Sequence, residues 1–155
     1  SMQRMAVDQI FEAPVEDAVS YALSAGLEVT LKDPVMYHRP CHDSLEGQGA
    51  TLLEAAAAEK IVSVGHCCSE AGTLALSRPD ITAAMWHRKG EALSKELPPS
   101  GLIQLITNCP ACLTGLGRQG MGQPKHLATA LAEAKDPRWK KTAASYLTRA
   151  ESIRF

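Results

Sequence analysis

Residues 61 to 68 read IVSVGHCC, an apolar run of strand length that passes through a single glycine into a histidine and two adjacent cysteines. Short β-branched runs bounded by a glycine are strand signals. The same order recurs in VMYHRPC, residues 35 to 41, and in LIQLITNCPAC, residues 102 to 112. The clearest strand candidates are therefore Val35 to Tyr37, Ile61 to Val64 and Leu102 to Ile106, with Val29 to Leu31 as a weaker fourth. Each of the three clear ones leads within a few residues to cysteine, and Cys41, Cys67, Cys68, Cys109 and Cys112 are all the cysteines the chain has.

Helical pattern fills the intervals. Leu52 to Ala58 reads as one helix. Ile81, Ala84 and Met85 begin another, with Asp80 as its N-cap and Gly90 as a weak point. Pro98, Pro99 and Gly101 force a turn. Pro124 to Ala134 reads as helix, as does the stretch from Trp139, where Trp139, Ala143, Tyr146, Leu147 and Ala150 form one apolar stripe. Strands alternating with helices predict an α/β fold, a small and mainly parallel sheet flanked by helices, because parallel neighbours need helical crossovers. Loops leaving the carboxyl ends of such strands converge on one rim, where ligands bind. Five thiols from three loops are thus expected at one site at the carboxyl ends of the strands.

A length of 155 residues suits one domain, 1–155, with a hydrophobic core that needs no disulfides. Ser1 before Met2 reads as a scar of tag removal, so a fragment of a larger protein is expected. With no membrane-length apolar stretch and no secretion signal, a cytoplasmic, non-transmembrane chain is expected, associated with a membrane only through a partner. An odd cysteine count suits a reducing compartment. A net charge of -1 argues against a nucleic-acid binder. The C-terminal stretch is nevertheless basic, with Lys135, Arg138, Lys140, Lys141, Arg149 and Arg154, and reads as a solvated helix face.

Cys109-Pro-Ala-Cys112 presents two sulfurs to one centre, as C-x-x-C does in metal sites and in redox pairs. A thioredoxin-type pair has no use for Cys41 or the doublet, so the full set favours a metal. A disulfide between Cys67 and Cys68 would be strained, because adjacent Cα atoms lie closer than disulfide geometry prefers. A single zinc takes only four ligands. A polynuclear iron–sulfur cluster is larger, and adjacent cysteines can reach different irons of it.

The anchors MYHRPCHDSL, HCCSEAGT and NCPACL, in that order between Val35 and Leu131, resemble the cysteine-rich CCG domain. That domain occurs in the B subunit of heterodisulfide reductase, in the iron–sulfur subunit of glycolate oxidase and in lactate-utilisation proteins. The resemblance implies that Cys41, Cys67, Cys68, Cys109 and Cys112 are the metal ligands. It implies a [4Fe-4S] cluster, or zinc as in some single-motif domains, and FAD only on a partner flavoprotein domain or subunit. The implied function is electron transfer in a flavin-linked 2-hydroxy-acid oxidoreductase of the lactate or glycolate type. The alternatives are a zinc-binding interaction module and a disulfide reductase domain acting at the cluster. Ser69 departs from the pattern, since the family name implies glycine after the doublet. A Cβ there would alter the loop if positive φ is required, with Gly72 supplying flexibility nearby.

Gly115-Leu-Gly117-Arg-Gln-Gly120 matches a dinucleotide fingerprint letter for letter. Its context is wrong, because the cysteines already occupy the strand exit. His38, His42 and His66 flank the cysteines as possible zinc ligands or as donors to sulfur, with the donor role favoured by the abundance of thiols. His87 and His126 fall in helical pattern and are expected at the surface or boundary. A Cys-His hydrolase would need one thiol set apart from the others, and none is.

Overall fold

The computed structural model describes residues 16–70, 74–97, 103–118 and 123–138. In chain order the elements are α1 (Ala18–Ser24), β1 (Val35–His38), α2 (Gly49–Ala56), β2 (Val62–Val64), α3 (Leu74–Ser77), α4 (Pro79–Lys95), β3 (Gln104–Thr107), α5 (Pro110–Gly117), β4 (Lys125–His126) and α6 (Leu127–Lys135). The four strands form one sheet in the order β2-β1-β3-β4, and every pairing is parallel. The expected α/β fold is what the chain adopts, with the sheet wholly parallel.

Burial follows the pleat. Val35 and Tyr37 of β1 and Ile106 of β3 join one core with Val19, Leu53, Ala56, Leu127, Ala130 and Leu131. Met36 and Leu105, one residue out of phase, join a second core with Val64, Leu93 and Leu116. Alternate side chains of a strand point to opposite faces, so α1, α2 and α6 cover one face and α4 and α5 the other. With both faces covered, β1 is buried at all four positions and reads as an unbroken apolar run. The chain leaves β1 for the α2 face and β3 for the α5 face. The crevice between those two exits is the topological switch point, where ligands of open α/β sheets bind.

The structure revises several boundaries. The fourth strand is Lys125–His126, beside β3. Of Val29 to Leu31, only Leu31 pairs, in an isolated bridge with Ala57. The helix expected from Pro124 starts at Leu127, because the two residues before it are drawn into the sheet and His126 caps the helix by accepting from the Ala128 N–H. Leu52 to Ala58 is displaced to Gly49–Ala56. Arg78 holds the N-cap position of α4, and Asp80 lies in its first turn behind Pro79, favourably placed for the helix dipole. Gly90 does not interrupt α4, which runs on to Lys95. The turn at Pro98, Pro99 and Gly101 and the helix from Trp139 lie outside the described residues.

One buried polar chain ties the sheet to the loop after β1. The Tyr37 hydroxyl donates to Asn108 Oδ1 at 2.8 Å, and Asn108 Nδ2 donates to Asp43 Oδ1 at 2.8 Å and to Ser44 Oγ at 3.2 Å. Asp43 in turn accepts from the backbone N–H groups of Leu45 and Gly47. Gly49 makes room for this arrangement, since a Cβ there would lie 2.6 Å from Tyr37 Cζ and closer still to its hydroxyl. The ring is fully buried and cannot yield. Gly49→Ala is therefore expected to lower the urea midpoint by the equivalent of about 1–3 kcal/mol, with little change in the slope of the transition.

Candidate metal centre

All five cysteines are free thiols, and the three strand exits carry them to one rim. Cys68 and Cys112 are buried, Cys67 and Cys109 half-buried, and Cys41 exposed. Cys68 Sγ lies 3.0 Å from Cys112 Sγ, and one ring nitrogen of His38 lies with both sulfurs inside a 4.8 Å group. Cys109 interacts with Cys112, and Cys41 with Cys67. The adjacent residues of the doublet thus take different partners, Cys67 toward the loop after β1 and Cys68 toward the start of α5.

The close sulfur pair pushes its two thiols in opposite directions. The Cys112 thiol holds Cys68 down to about 4 against the effect of burial, with further help from His38 and the Glu70 N–H. Cys112 is pushed far up by its interaction with Cys68, by burial and by Cys109. Burial also pushes Cys67 up, with the neighbouring Cys41 and Cys68 adding to it. Cys68 is therefore held toward its thiolate form. Beneath it, Lys89 of α4 is fully buried. Its Nζ lies 2.9 Å from His38 Nδ1 and donates to the carbonyls of Val64 at 3.3 Å and Gly65 at 2.5 Å. Burial lowers Lys89 to about 8, opposed by the charges of Cys68, Cys112 and Cys67.

The doublet loop needs unusual backbone. His66 and Ser69, on either side of it, have φ of 68° and 67°. Ser69 thus adopts the left-handed conformation that suits glycine, at a cost of roughly 1–2 kcal/mol for a residue with a Cβ, and its N–H donates to Cys67 Sγ at 3.3 Å. Gly72 lies outside the described residues. The loop packs directly on α5 at Gly115, where a Cβ would meet Glu70 Cγ at 2.8 Å and the Cys68 carbonyl more closely still. Trp86 Nε1 donates to that carbonyl at 3.3 Å, and Arg118 both stacks on Trp86 at 5.5 Å and pairs with Glu70. Gly115 and Gly117 of the glycine match thus lie toward the end of a helix, Gly115 admits the cysteine loop, and Gly120 lies outside the described residues.

The donor set fits a metal group. Two sulfurs held at about 2.3 Å by one tetrahedral metal stand roughly 3.7 Å apart, so the observed pair at 3.0 Å would part slightly to share one metal. Two of the three buried side-chain polar atoms without a partner among the described residues are His38 Nε2 and Ser69 Oγ, both within the cysteine loops or their strand exits. Buried polar atoms are normally satisfied. His42 and His66 are less enclosed than His38, and His87 is exposed on α4. His126 lies on β4 rather than in a helix, with Nε2 3.1 Å from the Asn108 carbonyl.

Sequence reading passed over Lys89, Asn108 and Asp43. Lys89 left one trace, since it falls on the buried stripe of α4 with Thr82 and Leu93. Asn108 and Asp43 left none, because their partners are far away in the chain.

An α/β domain with a thiol-rich, metal-competent rim is what this fold and site define. The chain is similar to the B subunit of the fumarate reductase (CoM/CoB) of Methanothermobacter marburgensis, with 31% identity over 106 residues. The match takes in 59% of this chain and 20% of that protein, so the chain spans about a fifth of its relative. No family model matches the chain, and no solved structure matches it. No helix among the described residues is long and apolar enough to cross a membrane.

Two outcomes follow from this geometry. Gly115→Ala is expected to displace the doublet loop and weaken zinc or cobalt binding at least several-fold, whereas Gly117→Ala, whose Cβ would meet nothing nearer than Pro124 Cδ at 3.9 Å, leaves it unchanged. Isothermal titration of both variants checks the contrast. In metal-free protein, the ultraviolet thiolate absorbance is expected to show one thiolate present above about pH 4 and lost below it. Because its pKa is depressed chiefly by the hydrogen bond from Cys112, Cys112→Ala, which removes that donor, should move the titration up toward the ordinary thiol range near pH 8.5.

Proposed function

We propose that the chain is an iron–sulfur electron-transfer domain of the CCG kind, part of a larger flavin-linked oxidoreductase. The observation that carries this reading is the divided partnership of the doublet, with Cys67 beside Cys41 and Cys68 beside Cys112. A mononuclear site has no need of two neighbouring ligands with separate partners, whereas a polynuclear centre does. Cys41, Cys67, Cys68, Cys109 and Cys112 are the proposed ligands, and a [4Fe-4S] cluster bound there supplies a one-electron carrier. The exposed Cys41 and the half-buried Cys67 and Cys109 leave one side of the rim open to a partner, while Leu93 and Leu116 pack behind Cys68 and Cys112 on the deep side.

The partner in this reading is a flavoprotein domain or subunit that carries the FAD, and the assembly is cytoplasmic, joined to a membrane only through another component. Similarity to a reductase component supports a role within a multi-subunit enzyme. The CCG resemblance points to 2-hydroxy acids of the lactate or glycolate type and the relative's name to fumarate. All are small carboxylic acids, and the catalytic conversion belongs to the partner.

A structural zinc module is the second reading. It is favoured by the inner group of His38, Cys68 and Cys112, which Cys109 would complete to four donors. Anaerobic reconstitution with iron and sulfide decides between them. The iron–sulfur reading expects broad visible absorbance that falls strongly in Cys67→Ser and in Cys109→Ser. Tight uptake of one zinc, no uptake of iron, and zinc retained in Cys67→Ser would establish the zinc module instead.

A further inference from the structure

We propose that Lys89 is a positioning residue for the cysteine centre: its buried ammonium holds His38 in the tautomer protonated at Nε2, so that His38 donates a hydrogen bond to the sulfurs and is not a metal ligand. The inference rests on the metal-centre reading above for its effect on a bound cluster, but the tautomer itself is a property of the metal-free chain.

Lys89 occupies the middle of α4 with none of its surface exposed, and no carboxylate pairs with it among the described residues. A buried charge without compensation is strongly disfavoured. The compensation here comes from acceptors other than a carboxylate, with the Cys68 and Cys112 sulfurs grouped about the same His38 ring. An ammonium has three donors and no acceptor. Two of them are used by the Val64 and Gly65 carbonyls, and the third meets His38 Nδ1 at 2.9 Å. A donor there requires a lone pair on Nδ1, and a neutral imidazole then carries its proton on Nε2.

Nε2 is the buried ring nitrogen that finds no hydrogen-bond partner among the described residues, and His38 lies with the Cys68 and Cys112 sulfurs in one tight group. The reverse assignment makes Lys89 a neutral amine that accepts from Nδ1–H. It would leave a bare Nε2 lone pair facing sulfurs that a metal requires as thiolates, buried acceptors with no proton between them, which is costly. In the assigned network every proton of Lys89 and of the His38 ring has an acceptor. The same three contacts also fasten the last rung of the β1–β2 ladder, His38 opposite Val64, directly below the doublet loop.

An N–H donated to sulfur and a positive charge behind it both stabilise the more negative state of a cluster, which raises its reduction potential. The closing experiment has two arms. Proton–nitrogen correlation NMR of the wild-type chain, metal-free and zinc-loaded, is expected to show His38 protonated at Nε2 and bare at Nδ1 in both states. Protonation at Nδ1, or loss of the Nε2 proton on zinc loading, overturns the proposal without reference to iron.

In the second arm, the anaerobically reconstituted protein is titrated by EPR-monitored potentiometry. Lys89→Met and His38→Leu are each expected to shift the midpoint to more negative potential at full cluster content. His38→Gln, which keeps an N–H in the place of Nε2, should remain nearer the wild type. An unchanged midpoint in Lys89→Met overturns the proposal, because a purely structural fastening would alter cluster content or stability and not potential. If the wild type assembles no cluster, the reading of the centre fails, and the tautomer measured in the first arm still decides the assignment of His38.

Discussion

Asn108 holds the carboxyl rim together. Its side chain stands between the Tyr37 hydroxyl in the sheet and Asp43 and Ser44 in the loop after β1, while its own backbone leads into Cys109. Through that one amide, the exit of β1 that carries Cys41 and the exit of β3 that carries Cys109 and Cys112 are fixed to each other. The amide is 6% exposed and uses both ends, and its bond with the Tyr37 hydroxyl is made where water cannot compete for it. Without such a tie, two loops leaving opposite faces of a sheet have no reason to keep their cysteines within reach of one centre.

The third loop is fixed by different means. β2 is an edge strand of three residues, and the doublet after it passes between two residues of positive φ. Such a turn is not stable in isolation. It is set from outside by three neighbours: Gly115, which lets α5 approach the Cys68 carbonyl, Trp86, which donates to that carbonyl, and Lys89, which gathers the carbonyls of Val64 and Gly65. Backbone strain is kept where surrounding structure over-determines it, and it collects at functional sites. Ser69 is a clear instance, a side chain in a glycine-like conformation with its hydroxyl buried beside the doublet.

This rim accepts arrangements that would be poor choices in a core built for stability alone. A lysine is wholly buried, and the sulfurs of Cys68 and Cys112 are crowded together. Each is unfavourable by itself, and the two are joined through the His38 ring, which meets Lys89 at Nδ1 and groups with both sulfurs. The opposite core, around Leu53, Ile106, Leu127 and Leu131, is apolar and supplies the rigidity against which this polar cluster is held.

What the sequence determined by itself was local or periodic: the strand runs at β1, β2 and β3, the parallel α/β class that follows from helices between them, and the placing of every cysteine at a strand exit. These are legible because strand and helix periods and chain connectivity are properties of neighbouring residues. Only the tertiary structure decided that Lys125 and His126 are a strand, since two residues form one only when β3 offers them an edge. It alone divided the doublet between Cys41 and Cys112 and set Gly115 against Cys68. It also brought Lys89 to His38 across 51 positions of chain and Asn108 to Asp43 across 65. Those pairings are fixed by strand order and by which face each helix covers, and no pattern of adjacent residues records either.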